Sequence, residues 1–257
     1  MVCNRAVSHG ATGAVAVTVR LVAAALAASC LVTSAAAQVT DLPSLDALVT
    51  YESRSVTHAG VTEMRRFSNR LIRRPGHVWL ERDLPVAPAG KISHVGHDGK
   101  GAVVAGHRHF DFELASQHLT RSADGTLRAD YVDRIGRQVV FVPPTEYSVP
   151  GFDGSWDNAA ALVSEKTVAA MPLAPLPSAV AGAVAGAVWH AEARNGWFNR
   201  VLWSTRSKIA LVVESGRSDG SVFRRTVVDL QPLTPAATLP WKQLAGYAQK
   251  DYDDFMD

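Results

Sequence analysis

Apolar and polar residues alternate through much of the chain, and this alternation predicts β-strands. The clearest case lies within residues 69–113, where His77, Trp79 and Glu81 alternate with two apolar residues. A period of two is typical of a strand with one buried and one solvated face. Residues 69–113 predict three consecutive strands.

A hairpin is predicted in the second half of this stretch. Asp98-Gly99 is a strong turn signal, because glycine accepts the positive φ that tight hairpin turns require. The strand after the turn is expected to run on through His107, His109 and Asp111, which share one face at a spacing of two residues.

The same alternation predicts strands on both sides of this stretch. These strands are expected at residues 49–57, 61–72, 127–134, 138–142, 188–194, 199–203, 208–215 and 221–230. Helical spacing predicts a helix in residues 159–171 and a C-terminal helix over residues 241–255. Residues 172–187, rich in Ala, Val, Gly and Pro, are typical of a linker. The pattern as a whole predicts a mainly β (α+β) fold, an antiparallel sheet with helices at its ends or on one face.

The first 37 residues predict an export signal. Residues 21–32 form an apolar run of the length expected for a signal peptide, shorter than the roughly 20 residues that span a membrane. Ala35-Ala36-Ala37 is a small-residue cleavage site, so the mature chain is expected to begin at Gln38. We expect a periplasmic protein with a single domain over residues 38–257.

Lipidation at Cys30 is the alternative to simple cleavage. A lipobox has Leu or a similar residue three positions before the cysteine, and here that position holds Ala27. Cleavage after Ala37 is therefore favoured, and with it a protein that is at most peripheral to the membrane.

The mature chain has neither disulfides nor a strong net charge. Both cysteines, Cys3 and Cys30, lie in the signal, so the mature domain folds without disulfides. The signal holds two of the 26 basic residues and none of the 24 acidic ones. The mature chain therefore has 24 basic and 24 acidic residues. Such a balance argues against nucleic acid as a partner.

Two stretches resemble a known periplasmic superfamily. The sequence RRPGHVWLE at residues 73–81 and HDGK at residues 97–100 are similar to a strand and turn of the outer-membrane lipoprotein carrier (LolA-like). Residues 201–204, 209–214 and 219–230 resemble the closing hairpin of the superfamily. The superfamily also includes the carrier's lipoprotein receptor and the sensor that regulates the envelope-stress sigma factor.

The resemblance implies a half-open antiparallel β-barrel capped by helices. It implies an apolar concavity that holds an acyl chain or a partner segment, and it does not imply catalysis. No cofactor is expected. One family feature is missing, because Ala102-Val103-Val104 stands where the family has an aromatic residue and a tyrosine after the turn.

Histidines suggest a metal site as a further possibility. His107 and His109, with Asp111 on the same face, offer ligands that suit Zn or Cu. The alternative is that they are ordinary exposed residues of a strand. His94 does not complete the site, because the strand rise places it roughly 13 Å from His107.

Tryptophans and arginines are the other candidates for ligand contacts. Trp79, Trp189 and Trp203 alternate with polar residues in strands, so they are candidates for a cavity wall or for core and rim packing. A group of five arginines could contact lipid phosphates or an acidic partner. The alternative is that they form an ordinary solvated strand face. They are Arg65, Arg66, Arg70, Arg73 and Arg74.

Catalytic motifs are absent from the sequence. It has no G-x-S-x-G, H-E-x-x-H, P-loop or G-x-G-x-x-G pattern. The sequence therefore predicts a non-enzymatic binding protein for a lipid or lipidated protein. An envelope sensor that binds a protein partner is the alternative, and a metal-binding periplasmic protein is a further one.

Overall fold

A computed structural model describes residues 42–84, 110–175 and 186–255 of the chain. Within these ranges the strands are β1 Leu45–Val56, β2 Thr62–Arg74, β3 His77–Arg82, β4 Ser116–Arg121, β5 Leu127–Asp133, β6 Gln138–Val142, β7 Ala187–Arg194, β8 Trp197–Ser204, β9 Ile209–Arg217, β10 Val222–Gln231 and β11 Ala248–Asp251. The helices are α1 Trp156–Ala161 and α2 Glu165–Ala169, and short 3₁₀ helices occupy Pro144–Glu146, Ala236–Thr238, Pro240–Gln243 and Tyr252–Phe255.

All eleven strands of the described residues belong to one sheet. Its order is β11-β6-β5-β4-β3-β2-β1-β10-β9-β8-β7. Neighbours pair antiparallel, except that β11 runs parallel to β6. The first strand lies beside β10, so early and late parts of the chain meet in the middle of the sheet. The prediction of a mainly β protein is confirmed, and a sheet that is not closed between β7 and β11 is compatible with a half-open arrangement.

Alternation along β2 divides the sheet into two faces. We call the face that carries Leu71 and Val78 the inner face, and the face that carries Ile72 and Trp79 the outer face. The main hydrophobic cluster includes Leu71, Val78, Leu119 and Trp156, so the loop around α1 packs on the inner face. Burial of these side chains is the main driving force for such a sheet.

The predicted helix over residues 159–171 is wrong in extent. The structure instead has two short helices, α1 and α2, separated at Leu162, which has a φ of 66°. Ser164 begins α2 by accepting a hydrogen bond from the backbone N–H of Thr167. A capping serine starts a new helix in this way and interrupts an otherwise periodic stretch.

The predicted C-terminal helix is also wrong. The 3₁₀ helix Pro240–Gln243 is followed by Gly246 at a φ of 76°, and then by β11 and a second 3₁₀ helix. The positive φ at Gly246 ends any helical run. Leu239 and its neighbours Trp241, Leu244 and Tyr247 pack on the outer face of the sheet. Burial against the sheet thus overrides the local helical spacing.

The predicted signal peptide and the Asp98-Gly99 turn lie outside the described residues. All described residues fall within one unit, Gln38–Asp257. None of the helices in the described ranges combines the length and hydropathy needed to cross a membrane.

Candidate ligand-binding site

A cavity of about 770 Å³ opens on the inner face of the sheet. This is the size of a typical small-molecule pocket. Strands β1 to β5, the approach to β4, and the loop that leads into α1 form its walls. The lining residues are Tyr51, Arg65, Phe67, Asn69, Leu80, Arg82, Phe112, Glu113, Ala115, Gln117, Tyr131, Pro150, Gly151, Phe152, Asp153, Asn158 and Ala159.

Strand pairing brings the lining residues onto one face. Tyr51 is the cross-strand partner of Phe67, and Asn69 is the partner of Arg82. Residues two apart on one strand point to the same side, so Arg65, Phe67 and Asn69 all face the cavity. The cavity therefore follows directly from the period-two pattern of β2.

Aromatic rings form much of the cavity wall. Tyr51 stacks on Phe67 with ring centroids 4.9 Å apart, and Phe112 meets Tyr131 edge-on at 5.5 Å. Phe67 remains 40% exposed, so an apolar ring stands at the rim of the cavity. Such a wall offers a large apolar surface to a hydrocarbon chain.

Polar groups are placed among these rings. The Arg82 guanidinium lies 3.9 Å from the centroid of the Phe67 ring, a cation–π distance. Gln117 donates a hydrogen bond of 2.6 Å to the hydroxyl of Tyr131. Arg82 Nη1 and Asn69 Oδ1 are buried and have no hydrogen-bond partner within the described residues. The wall is thus amphipathic, with an aromatic surface and a few polar atoms.

The cavity tyrosines stay protonated at neutral pH. Burial raises the pKa of Tyr51 to about 12, against a smaller lowering by the charge of Arg82. Burial also raises the pKa of Tyr131 to about 12. A tyrosine in this state offers a ring surface and a neutral hydroxyl, which suits binding better than proton abstraction.

The three predicted tryptophans lie in the packed interior. Trp79 is fully buried on the outer face and donates from Nε1 to Glu81 at 2.7 Å. Trp189 is buried in the main hydrophobic cluster, and Trp203 is buried in a second cluster beside Met171 of the α2 region. None of the three lines the cavity on the inner face. The structure therefore places all three tryptophans in the core and not in the wall of this cavity.

The predicted metal ligands are only partly described. His107 and His109 lie outside the described residues. Asp111 lies in a loop before β4, so the predicted strand does not continue through it, and its carboxylate accepts the backbone N–H groups of Glu113 and Leu114. In the described ranges, no three His, Cys, Asp or Glu side chains are grouped closely enough to hold a metal ion.

The five arginines of β2 separate by face and by burial. Arg65 lines the cavity, and Arg66 pairs with Glu52 on the exposed outer face. Arg70 donates to Thr234, and Arg74 pairs with the buried Asp46 at 2.6 Å. Arg73 is 1% exposed and donates only to backbone carbonyls. The five arginines therefore do not form one surface patch, and Arg65 is the only one of these five that lines the cavity.

The carboxylate of Asp46 is held in its charged form. Burial alone would raise its pKa, but hydrogen bonds from Arg74 and Thr234 outweigh burial and lower the pKa below its ordinary value. Thr234 follows β10, so these bonds attach the chain after β10 to the start of β1.

A histidine pair on the outer face was not anticipated from the sequence. His77 Nδ1 and His118 Nε2 are 3.1 Å apart, and the Trp241 ring stacks on both imidazoles at 5.1 and 5.3 Å between centroids. Burial and the charges of His77 and Arg128 lower the pKa of His118 to about 4. Burial and Lys242 also lower the pKa of His77. Both rings are neutral at neutral pH, so one donates a hydrogen bond to the other.

Comparisons with known proteins give only distant likenesses. No family model and no curated protein matches the chain. An uncharacterized conserved protein from Thermus thermophilus is 10% identical, with a TM-score of 0.37, over 80% of this chain and 90% of that one. PNGF-II is 12% identical, with a TM-score of 0.33, over 83% of this chain and 32% of its own.

A domain described as an outer membrane lipoprotein-sorting protein, from Vibrio parahaemolyticus, is also similar. It is 9% identical, with a TM-score of 0.26, over 78% of this chain and 89% of that one. At TM-scores below 0.5 these likenesses carry no argument about fold or function, so function is inferred from the cavity residues.

Proposed function

We propose that the chain is a non-enzymatic periplasmic protein that holds the acyl chain of a lipid or lipidated protein in the inner-face cavity. The observation that carries the proposal is the aromatic wall of an open cavity of about 770 Å³, with Phe67 exposed at its rim. The resemblance of residues 73–81 to a strand of the lipoprotein-carrier superfamily is a second, independent support.

The binding energy would come from burial of hydrocarbon. Each methylene group removed from water contributes about 0.8 kcal/mol, so a chain of several methylenes binds without specific polar contacts. The rings of Tyr51, Phe67 and Phe112 supply surfaces that need no rearrangement of hydrogen bonds. Sequestration of a chain from water, with no chemical step, is what this arrangement supports.

The first test is native mass spectrometry of the protein from Gln38 onward, purified from the periplasm. We expect a bound acyl lipid or lipopeptide, which denaturation releases for identification. Phe67→Ser is expected to lower retention of the lipid, because it removes the ring at the rim. Met64→Ser is the matched control, since Met64 lies on the same strand, is 77% exposed and does not line the cavity.

Each outcome of this test bears on the proposal. Equal loss of lipid in both variants would show that Phe67 has no special part in binding. Protein that carries no lipid, and that takes up none when acyl lipids are added, would overturn the proposal. A stable protein partner recovered with lipid-free chain would favour the alternative function of an envelope interaction module.

A further inference from the structure

Two polar atoms on the cavity wall lack partners among the described residues. Arg82 Nη1 and Asn69 Oδ1 are both buried from solvent. The two residues are cross-strand partners on β2 and β3, and both line the cavity. Buried polar atoms are normally hydrogen-bonded, so these two residues of the cavity lining have unused hydrogen-bonding capacity.

The charged residues on the β2–β3 side of the cavity are arginines, and the two carboxylates of the lining, Glu113 and Asp153, lie in loops. Neither Arg82 nor Arg65 forms a salt bridge with a carboxylate in the part of the chain that the structure describes. Of the two acidic residues of the lining, Asp153 already accepts hydrogen bonds from Ser155 and from the side chain of Asn158. Glu113 lies after Asp111, in the loop before β4. The β2–β3 side of the cavity thus presents two guanidinium groups beside aromatic rings.

We propose that the cavity selects an anionic amphiphile, whose phosphate or carboxylate head binds Arg82 while its hydrocarbon chain lies on the aromatic wall. This inference rests on the proposed function and specifies the ligand class. A guanidinium group forms strong, directional bonds with phosphate and carboxylate oxygens. A hydroxyl group on the head, as in a glycerol phosphate, donates to the amide oxygen of Asn69 once that side chain turns toward the cavity.

The test compares two ligands that differ only in the phosphate. Monoacylglycerol phosphate and monoacylglycerol with the same chain are titrated into the protein below their micelle concentrations, by calorimetry. We expect the phosphate form to bind at least about 10-fold more tightly, the effect of one hydrogen bond to a charged group. Arg82→Met is expected to remove this difference, and Arg82→Lys to keep part of it because the charge remains.

Arg66→Met is the matched control. Arg66 is next to Arg65 in sequence, its side chain is 74% exposed, and it pairs with Glu52 on the outer face. We expect this variant to keep the full preference for the phosphate form. Salt provides a measurement that needs no variant, because added salt should weaken binding of the phosphate form and leave that of monoacylglycerol unchanged.

The outcomes separate the two proposals. Equal affinity for both ligands would overturn the proposal that the cavity selects an anionic head group, and the proposal of acyl-chain binding would stand. Binding of neither ligand would overturn both. Inorganic phosphate at millimolar concentration is expected not to displace monoacylglycerol phosphate; displacement would show that the site takes free phosphate and that the chain contributes nothing.

Discussion

Replacement of Arg73 by methionine is expected to lower the free energy of unfolding by about 3–5 kcal/mol, because several buried carbonyls lose a charged hydrogen-bond donor. Arg73 is 1% exposed and lies on the inner face of β2. Its guanidinium donates to four backbone carbonyls that belong to the start of the described chain, to α1 and to the β8–β9 turn. They are those of Pro43 at 2.9 Å, Ala160 at 2.7 Å, Lys208 at 2.9 Å and Ser207.

The magnitude follows from the balance of two effects. A hydrogen bond from a charged donor contributes about 1.5–3 kcal/mol, and a buried carbonyl left without a partner costs about 1–3 kcal/mol. Methionine, on the other hand, ends the cost of burying a cation, a cost that lowers the pKa of Arg73 to about 10. It also fills part of the volume with a flexible apolar chain. The four lost bonds outweigh this relief, so a net loss is expected.

Urea unfolding, followed by tryptophan fluorescence and circular dichroism, measures the effect. Arg70→Met is the matched control, because Arg70 lies on the same strand, is exposed and has one hydrogen bond, to Thr234. We expect the control to change stability by no more than about 0.5 kcal/mol. If Arg73→Met costs no more than about 1 kcal/mol beyond the control, at an unchanged m-value, the reasoning about buried carbonyls is refuted.

Two further predictions concern the histidine pair on the outer face. Because the pKa of His118 is lowered to about 4 in the folded state, the unfolded chain binds the extra proton first, and stability should fall as the pH drops from 6.5 toward 4. The expected loss is up to about 3 kcal/mol, measured by urea unfolding at pH 7 and pH 4.5, and His118→Gln should flatten this slope. Trp241→Ala should cost about 2–3 kcal/mol. It should also raise the pKa of His118, followed by NMR, toward its ordinary value, and an unchanged pKa would mean that Trp241 does not keep water from the imidazoles.

Strand positions could be predicted from the sequence where one face is buried. The prediction for residues 138–142 matches β6, and those for residues 127–134 and 221–230 match β5 and β10 to within one residue. These strands pair with neighbours, so the apolar positions of the sequence are the positions that the sheet buries. In the C-terminal segment the apolar residues have helical spacing, but turns and 3₁₀ helices, not an α-helix, bring them against the sheet.

The site was harder to predict because it depends on faces and on distant segments. The five arginines of β2 were grouped by closeness in sequence, whereas strand geometry divides them between two faces of the sheet. Taking every second residue of β2 would have placed Arg65, Phe67 and Asn69 together, and this signal was present in the sequence. The loop before α1 supplies the opposite wall, and no pattern in its sequence indicates where it packs.

The inner face of β2 changes in character over a few alternate positions. Arg73 and Leu71 are buried, Asn69 is half-buried and Phe67 is exposed at the rim, so one face passes from packed core into open cavity. The same strand also fixes the opposite wall, because Arg73 holds the carbonyl of Ala160 and the adjoining residue Ala159 lines the cavity. A buried cation within the core therefore bonds to the segment that forms the opposite wall of the cavity. The same side chain thus contributes to the packing of the core and to the attachment of the opposite wall of the cavity.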